Sequence, residues 1–212
     1  MLEYDPQVAV DHLAKADRTM ARLIRRAGPF ALEPPARQSA LDSLLRAIVS
    51  QQLSGTVARA IHGRVIDLLP RATRDKPKAI LDLADETLRG AGLSRAKVAS
   101  IKDLAAKTLD GTVPPLAKLR RMTDEAIIER LTAVRGIGVW TVEMLLIFRL
   151  GRGDVLPLSD LGIRKGFHFT YGTADLPNAH EITVGAECWR PYRSVASWYL
   201  WRAVELKASE RL

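Results

Sequence analysis

Apolar residues recur at three- and four-residue intervals along almost the whole chain, and the alternation of Val, Ile and Thr that is typical of strands is nearly absent. This spacing predicts an all-α fold. The first apolar stripe lies between Val10 and Leu23, and it predicts one helix that begins at Asp5-Pro6 and ends at Gly28-Pro29. Residues 29–38 are rich in proline and are expected to connect this helix to the next.

The rest of the chain shows the same spacing, interrupted by Gly, Pro and capping residues. It predicts further helices over residues 39–49, 56–69, 79–83, 85–90, 94–108, 123–134, 139–149, 160–169 and 192–206. The polar stretch from about 170 to 185 is not expected to be helical. Within residues 139–148 only Thr141 and Glu143 are polar, so we expect this helix to run through the middle of the protein.

The composition excludes a fibrous or disordered chain. With 212 residues, 47% of them hydrophobic, the chain is long enough for one compact domain or two small lobes that share a core. The single cysteine, Cys188, cannot form an intramolecular disulfide, which indicates a reducing compartment. The sequence shows no secretory signal or membrane-spanning stretch, so we expect a soluble cytoplasmic protein, associated with the nucleoid if the host is bacterial.

An excess of basic residues favours a polyanionic partner. Lys and Arg number 32 against 24 Asp and Glu, which gives a formal charge of +8 and makes nucleic acid the first candidate. Only two acidic residues lie between positions 94 and 121, together with seven basic ones: Arg95, Lys97, Lys102, Lys107, Lys118, Arg120 and Arg121. These basic residues form either a solvated helix face or a flank that binds DNA phosphates.

The segment LTAVRGIGVWT, residues 131–141, predicts a tight turn between two helices. Two glycines allow a ligand to approach the backbone closely, and the second helix begins where its first amides lack helical partners. A DNA phosphate could therefore bind the backbone at Gly136, Gly138 and Val139 without reading the base sequence. The alternative is an ordinary turn between two packed helices.

The segment LPLSDLGIRKG, residues 156–166, places Asp160 at the expected start of a helix, 22 residues after Gly138. Ser159 or Asp160 would be the N-cap and accept hydrogen bonds from the first helical amides, and the helix dipole would favour the anionic form of Asp160. A carboxylate that faces a cleft beside a DNA-binding hairpin could also be catalytic. The sequence leaves both interpretations open.

These two segments together resemble the helix-hairpin-helix superfamily of base-excision DNA glycosylases. Three further segments are similar to stretches of AlkA-type 3-methyladenine DNA glycosylases: AIVSQQLS (47–54), GLSRAKVASIKDLA (92–105) and WRPYRSVASWYLW (189–201). The resemblance covers about residues 40–205. It implies a compact two-lobed helical bundle with a cleft between the lobes and no N-terminal β domain. We expect a single domain over residues 1–212, with one lobe at 35–120 and a second lobe, containing the hairpin, at 1–34 and 121–212.

The resemblance implies a base-excision repair enzyme that flips an alkylated purine, such as 3-methyladenine or 7-methylguanine, out of double-stranded DNA and hydrolyses its N-glycosidic bond. Asp160 takes the catalytic role in this interpretation. The main alternative is a non-catalytic helix-hairpin-helix module that binds DNA through phosphates, and a helical scaffold with basic faces is a third. The enzyme is expected to act as a monomer.

The resemblance also assigns roles in base flipping. The loop at Gln52 and Leu53 would supply the side chain that fills the vacated stack; either residue could be this wedge, and Leu53 could instead be a core leucine. Trp140, Trp201 and Gln51 would line the base pocket. Two indole rings favour a base that carries positive charge.

Departures from other branches of the superfamily refine this prediction. Bifunctional members, which also cut the strand, carry a lysine two residues after the second hairpin glycine, where this chain has Trp140. The lone Cys188 excludes the branch with an iron-sulfur cluster, and we expect no required cofactor. The family implies a structural Na⁺ or K⁺ held at the hairpin by the backbone carbonyls of Thr132, Val134 and Gly136. The four histidines show no metal-ligand spacing.

Overall fold

The computed structural model describes residues 2–34 and 39–209, and of Thr73 only the backbone. Among these residues the secondary structure is entirely helical, which confirms the all-α prediction. The last residues of the predicted connector, 35–38, lie outside the described residues. No helix in the described part of the chain is both long enough and apolar enough to cross a bilayer.

The chain divides into two compact units. The first unit, Met1–Pro35 with Leu146–Leu212, contains α1 (Pro6–Ala16), α2 (Arg18–Ala27), α11 (Leu161–Tyr171), α12 (Ala179–Gly185) and α13 (Arg193–Ser209). The second unit, Ala36–Leu145, contains α3 (Ala40–Ser50), α4 (Gly55–Asp67), α5 (Lys76–Asp82), α6 (Asp85–Gly90), α7 (Arg95–Leu109), α8 (Leu116–Leu119), α9 (Asp124–Thr132) and α10 (Val139–Leu145). Short 3₁₀ turns lie at Thr73–Asp75 and Glu187–Trp189, and a π-helical turn at Leu146–Leu150.

The boundary between the units differs from the predicted one. The prediction grouped residues 121–145, with the hairpin, with the two ends of the chain, whereas the structure groups them with residues 36–120. The reason is packing: α10 contacts α9 and α3, and all three helices lie in the second unit. Apolar spacing shows that a helix has a buried face, but it does not show which helices cover that face.

The single helix predicted for the N-terminus is two helices. Asp17 has extended backbone angles, φ −140° and ψ 110°, and separates α1 from α2. Its carboxylate caps α2 by accepting hydrogen bonds from the amides of Thr19 (2.8 Å) and Met20 (3.0 Å). The polar stretch before Gly185 was also interpreted wrongly, because it contains α12. A capping box between Asn178 and Glu181 starts this helix.

The first unit packs around α13. Its core includes side chains of α1, α2, α11, α13 and the 3₁₀ turn Glu187–Trp189, among them Leu13, Met20, Ile163, Trp189, Tyr199 and Leu200. Helices α11 and α13 approach so closely at Gly166 that a Cβ there would lie 2.2 Å from the carbonyl oxygen of Leu200. A glycine is therefore required at this crossing.

The second unit packs around α3 and α7. Their fully buried side chains include Leu44, Leu45, Ile48, Ile101 and Leu104. Each stabilises the fold by about 1.5–3 kcal/mol relative to an exposed position. The helix expected to run through the middle of the protein is buried only after its first residues: Thr141, Val142 and Leu145 are buried, but Val139 is 50% and Trp140 43% exposed.

Candidate active site and DNA-binding hairpin

Asp160 lies in the first unit as the N-cap of α11, so the structure selects it over Ser159, the other N-cap candidate of the sequence. Its Oδ1 accepts a hydrogen bond of 2.9 Å from the amide of Ile163 and one of 3.0 Å from the indole nitrogen of Trp201. The side chain is half-buried. The capping and catalytic interpretations are compatible, since both bonds hold the carboxylate in one orientation and a cap alone would not require the indole.

The indole of Trp201 is fixed on its other side by an aromatic contact. It stacks on Phe148 with ring centroids 5.6 Å apart and an interplanar angle of 26°. Gly162 allows this arrangement, because a Cβ there would lie 2.8 Å from both Asp160 Oδ1 and Trp201 Cδ1. Reasoning from the sequence missed the roles of Phe148 and Gly162, although the glycine that follows the aspartate by two positions was a visible signal.

The hairpin in the second unit has the backbone geometry of a phosphate site. Gly136 adopts φ +77°, a left-handed conformation that favours glycine, and a Cβ at Gly138 would meet nothing within 4 Å. Ile137, between the two glycines, is buried and anchors the turn. In the described part of the chain, nothing accepts a hydrogen bond from the backbone N–H of Gly136, Gly138 or Val139. These three exposed amides remain available to an anion.

The loop between α3 and α4 carries the predicted wedge residues at the surface. Leu53 is 37% exposed, so it is not a core leucine. Gln52 adopts φ +57°, which only a few per cent of non-glycine residues do. Such strained positions cluster at functional sites, where the surrounding contacts hold them. Both residues remain candidates for the wedge.

Gln51, predicted in the base pocket, contacts the hairpin. Its Nε2 donates a hydrogen bond of 2.9 Å to the carbonyl oxygen of Gly136. The structure thus brings Gln51 to the hairpin turn and Trp201 to Asp160. Trp140 and Trp201 belong to different units, and the base pocket that would unite them stays a prediction.

Comparisons with known proteins identify the family. The signature of the HhH-GPD superfamily of base excision DNA repair proteins matches residues 45–191. The chain belongs to this superfamily. It is 36% identical to DNA-3-methyladenine glycosylase 1 of Schizosaccharomyces pombe, over 92% of this chain and 86% of that protein. It is also 30% identical to an alkylbase DNA glycosidase-like protein of the same species, over 95% of each chain.

Solved structures of HhH-GPD proteins agree with this assignment. The 3-methyladenine DNA glycosylase of S. pombe, in complex with abasic DNA, matches with a TM-score of 0.80 and 35% identity, over 92% of this chain and 95% of that chain. A DNA-3-methyladenine glycosidase of Bacillus halodurans matches with a TM-score of 0.84 and 35% identity, over 99% and 94%. The resemblance inferred from the motifs is therefore confirmed.

The carbonyl groups expected to hold a cation in the HhH-GPD hairpin are partly occupied by hydrogen bonds. The oxygen of Val134 accepts from the amide of Ile137 (3.0 Å), and that of Gly136 accepts from Gln51. Each of these two oxygens keeps a second lone pair, so the chemistry of these neutral carbonyl ligands fits a monovalent cation. The described residues include no group of three or more His, Cys, Asp or Glu side chains that could hold a metal ion.

Three lysines in the basic segment, residues 94–121, are engaged in contacts within the protein. Lys102 pairs with Asp85, and Lys107 pairs with Asp103 at 2.6 Å. Lys97 Nζ donates hydrogen bonds to the carbonyl oxygens of Val49, in the last turn of α3, and of Gln51, the first residue of the wedge loop, residues 51–54. Among the other basic residues of the segment, Arg95, Lys118 and Arg121 are exposed, and the predicted flank is limited to them.

Proposed function

We propose that this protein is a monofunctional DNA glycosylase that acts as a monomer on alkylated purines of the 3-methyladenine and 7-methylguanine type in double-stranded DNA. The observation that carries the proposal is the Asp160 carboxylate, held at Oδ1 by the indole of Trp201 and the amide of Ile163. The 3-methyladenine glycosylases among the relatives support the choice of substrate.

Binding begins with the phosphate backbone. The amides of Gly136, Gly138 and Val139 receive a phosphate, and the net charge of +8 supports non-specific affinity for DNA. A monovalent cation on the carbonyls of Thr132, Val134 and Gly136 would add positive charge at this turn. The damaged nucleotide is then extruded, and Leu53 or Gln52 fills the gap. Extrusion costs a few kcal/mol and is easiest at a damaged base.

The extruded base stacks against the indole rings of Trp140 and Trp201, with Gln51 nearby. A purine alkylated at N3 or N7 carries a positive charge, and its attraction to a desolvated indole ring contributes about 1–2 kcal/mol beyond stacking. This attraction favours alkylated purines over normal bases and needs no base-specific hydrogen bond.

Asp160 acts on the sugar. The C1′–N bond breaks, its electron pair leaves with the purine, and the cationic base becomes neutral. The carboxylate stabilises the positive charge that develops on the sugar. A water oxygen bonds to C1′ and loses a proton to Asp160, which leaves a free base and an abasic site in an intact strand. Because Trp140 stands in place of the lyase lysine, this site offers no amine for a Schiff base.

The test is the release of free base from alkylated duplex DNA, followed by chromatography. We expect Asp160→Asn to abolish excision, with a loss of at least about a hundredfold, while affinity for the DNA is kept. Asp5→Asn is the matched control, because Asp5 is also an N-cap carboxylate of the first unit, on α1.

Near-normal excision by a folded Asp160→Asn variant would overturn the catalytic assignment. If the wild-type protein binds alkylated duplex but releases no base, the non-catalytic DNA-binding module is the correct interpretation. Equal losses in Asp160→Asn and Asp5→Asn would indicate an effect on folding.

A further inference from the structure

Helix α7 carries three polar side chains at successive turns: Lys97, Ser100 and Asp103. Residues spaced by three positions lie on one side of a helix. The first of them reaches the wedge loop, since Lys97 Nζ donates hydrogen bonds to the carbonyl oxygens of Val49 (2.7 Å) and Gln51 (2.8 Å).

The other two residues reach the hairpin. Asp103 Oδ2 accepts a hydrogen bond of 2.7 Å from the amide of Arg135, immediately before Gly136. Ser100 is 7% exposed and packs so closely that a Cβ at Gly136 would lie 2.8 Å from its Oγ. One face of α7 therefore supports both elements that the proposed function places on DNA.

The contacts of Lys97 satisfy backbone carbonyl groups where α3 ends and the wedge loop begins. Val49 and Gln51 lie at the C-terminus of α3, where carbonyl groups lack helical partners and the helix dipole is negative. An ammonium group donates hydrogen bonds to these carbonyl oxygens, and its positive charge is attracted by the negative end of the helix dipole. Gln52 follows directly in its left-handed conformation, and the Gln51 side chain ties the loop to Gly136. The residue directly before this left-handed backbone is thus held by contacts to α7 and to the hairpin.

We propose that Lys97 is a positioning residue for base flipping, which holds the Gln52-Leu53 wedge in register with the phosphate-binding hairpin. The inference rests on the proposed function. It gives Lys97 a role different from the phosphate contact that its place in the basic segment suggests. Lys97 is partly buried, and two backbone carbonyl oxygens accept hydrogen bonds from its ammonium group, which supports this role. Desolvation lowers the pKa of this group.

The experiment compares Lys97→Met with Lys102→Met. Both substitutions remove one positive charge from α7, but Lys102 pairs with the Asp85 side chain and not with the loop. For each variant we would measure the thermal melting temperature, the affinity for undamaged duplex, and the fluorescence of 2-aminopurine beside an alkylated base, which reports unstacking. Single-turnover excision at saturating protein gives the fourth readout.

We expect Lys97→Met to reduce the 2-aminopurine signal and to slow excision roughly ten- to a hundredfold, the factor for losing charged hydrogen bonds. Its affinity for undamaged duplex should stay within about twofold of that of Lys102→Met. In a background that carries both Gln52→Ala and Leu53→Ala the same substitution should slow excision by less than about threefold, because both candidate wedge side chains are already gone. Lys97→Gln keeps a neutral hydrogen-bond donor and should show a smaller loss of excision rate in the same direction. It takes the place of Lys97→Met in the experiment if Lys97→Met does not fold.

Other outcomes overturn the inference. If Lys97→Met weakens undamaged-duplex binding more than Lys102→Met does and flattens its salt dependence, Lys97 is a phosphate contact. If its effect multiplies fully with that of the combined Gln52→Ala and Leu53→Ala background, Lys97 does not act through the wedge. A wild-type protein that neither flips nor excises would overturn the proposed function as well, whereas an active wild type with an equally active Lys97→Met would overturn this inference alone.

Discussion

At the scale of single residues, the main finding is that Trp201 donates a hydrogen bond directly to the Asp160 carboxylate. The family resemblance assigns Trp201 to the base pocket, and the structure shows its indole N–H on the carboxylate oxygen. An alanine at this position would therefore remove stacking surface and carboxylate orientation together. A probe of Trp201 has to separate these two effects.

Trp201→Phe makes this separation. Phenylalanine keeps an aromatic ring against Phe148 but removes the indole donor. We expect single-turnover excision to slow about ten- to a hundredfold, the cost of one hydrogen bond to a charged group, while lesion affinity falls less than about threefold. Excision rates and filter-binding affinities would be compared with those of Trp198→Phe, since Trp198 packs on Phe30 and has no contact with Asp160. Unchanged excision in Trp201→Phe would contradict an orienting role.

At the scale of helices, the first unit depends on a carboxylate that joins three segments. Asp17 Oδ2 accepts hydrogen bonds from the Tyr171 hydroxyl of α11 and from the Trp189 indole, while Oδ1 caps α2. Desolvation acts to raise the pKa of Asp17, but the hydrogen bonds outweigh it and the net pKa is lowered. The ionised carboxylate therefore stabilises the folded state.

Asp17→Asn should lower the free energy of unfolding by about 2 kcal/mol at neutral pH, because four donors lose a charged acceptor. The lowered pKa sets the sign of the pH dependence. The stabilisation is complete above the unfolded-state pKa of an aspartate, about 3.9, and is lost as the pH falls through the lower folded-state value. Urea unfolding between pH 7 and pH 3 should show the wild-type advantage shrinking with acid. A constant difference would contradict this account.

The contact between α11 and α13 makes a second prediction at this scale. Gly166→Ala places a Cβ 2.2 Å from the Leu200 carbonyl oxygen, a backbone atom that can move only with its helix. We expect a loss of about 1–3 kcal/mol or more in unfolding free energy, measured by chemical denaturation. The matched control is Gly63→Ala in α4, where a Cβ meets nothing within 4 Å. There helix propensity should stabilise the protein by up to about 1 kcal/mol. If the two variants are equally stable, the helices do not cross as closely as described.

For the molecule as a whole, the charge of +8 and the similarity to glycosylases raise the question whether the enzyme also cuts the DNA strand. A lyase needs an amine that forms a Schiff base with the sugar, and the position that supplies it in bifunctional relatives holds Trp140, which is 43% exposed. The proposed reaction ends at an intact abasic strand.

Borohydride trapping tests this expectation. We expect the pure protein to form no covalent adduct with alkylated or abasic duplex DNA, and strand breaks to arise only after treatment with alkali. Trp140→Lys supplies the amine and is the informative counterpart, because any adduct it forms would show that the position reaches the sugar. An adduct with the wild-type protein would disprove monofunctional action and direct attention to another lysine.

Much of the fold and several site residues could be predicted from the sequence because they depend on neighbours a few positions apart. Apolar spacing predicted most helices of both units, although not α8 or α12, the glycines marked the hairpin, and Asp160 was one of two N-cap candidates. The errors have local causes as well. Asp17 interrupts an unbroken apolar stripe, and the polar composition before Gly185 concealed the capping box of α12.

The tertiary structure decided which of these local features meet. Trp201 and Asp160 are 41 positions apart, Lys97 and Gln51 are 46 apart, and Gln51 and Gly136 are 85 apart. The tertiary structure also decided the boundary between the units, because this boundary follows from the packing of α10 on α3. Periodicity and capping report the conformation of a segment and its buried face, because these depend on interactions within a few turns. Partner choice depends on shape and hydrogen bonding between surfaces that exist only after the helices have packed.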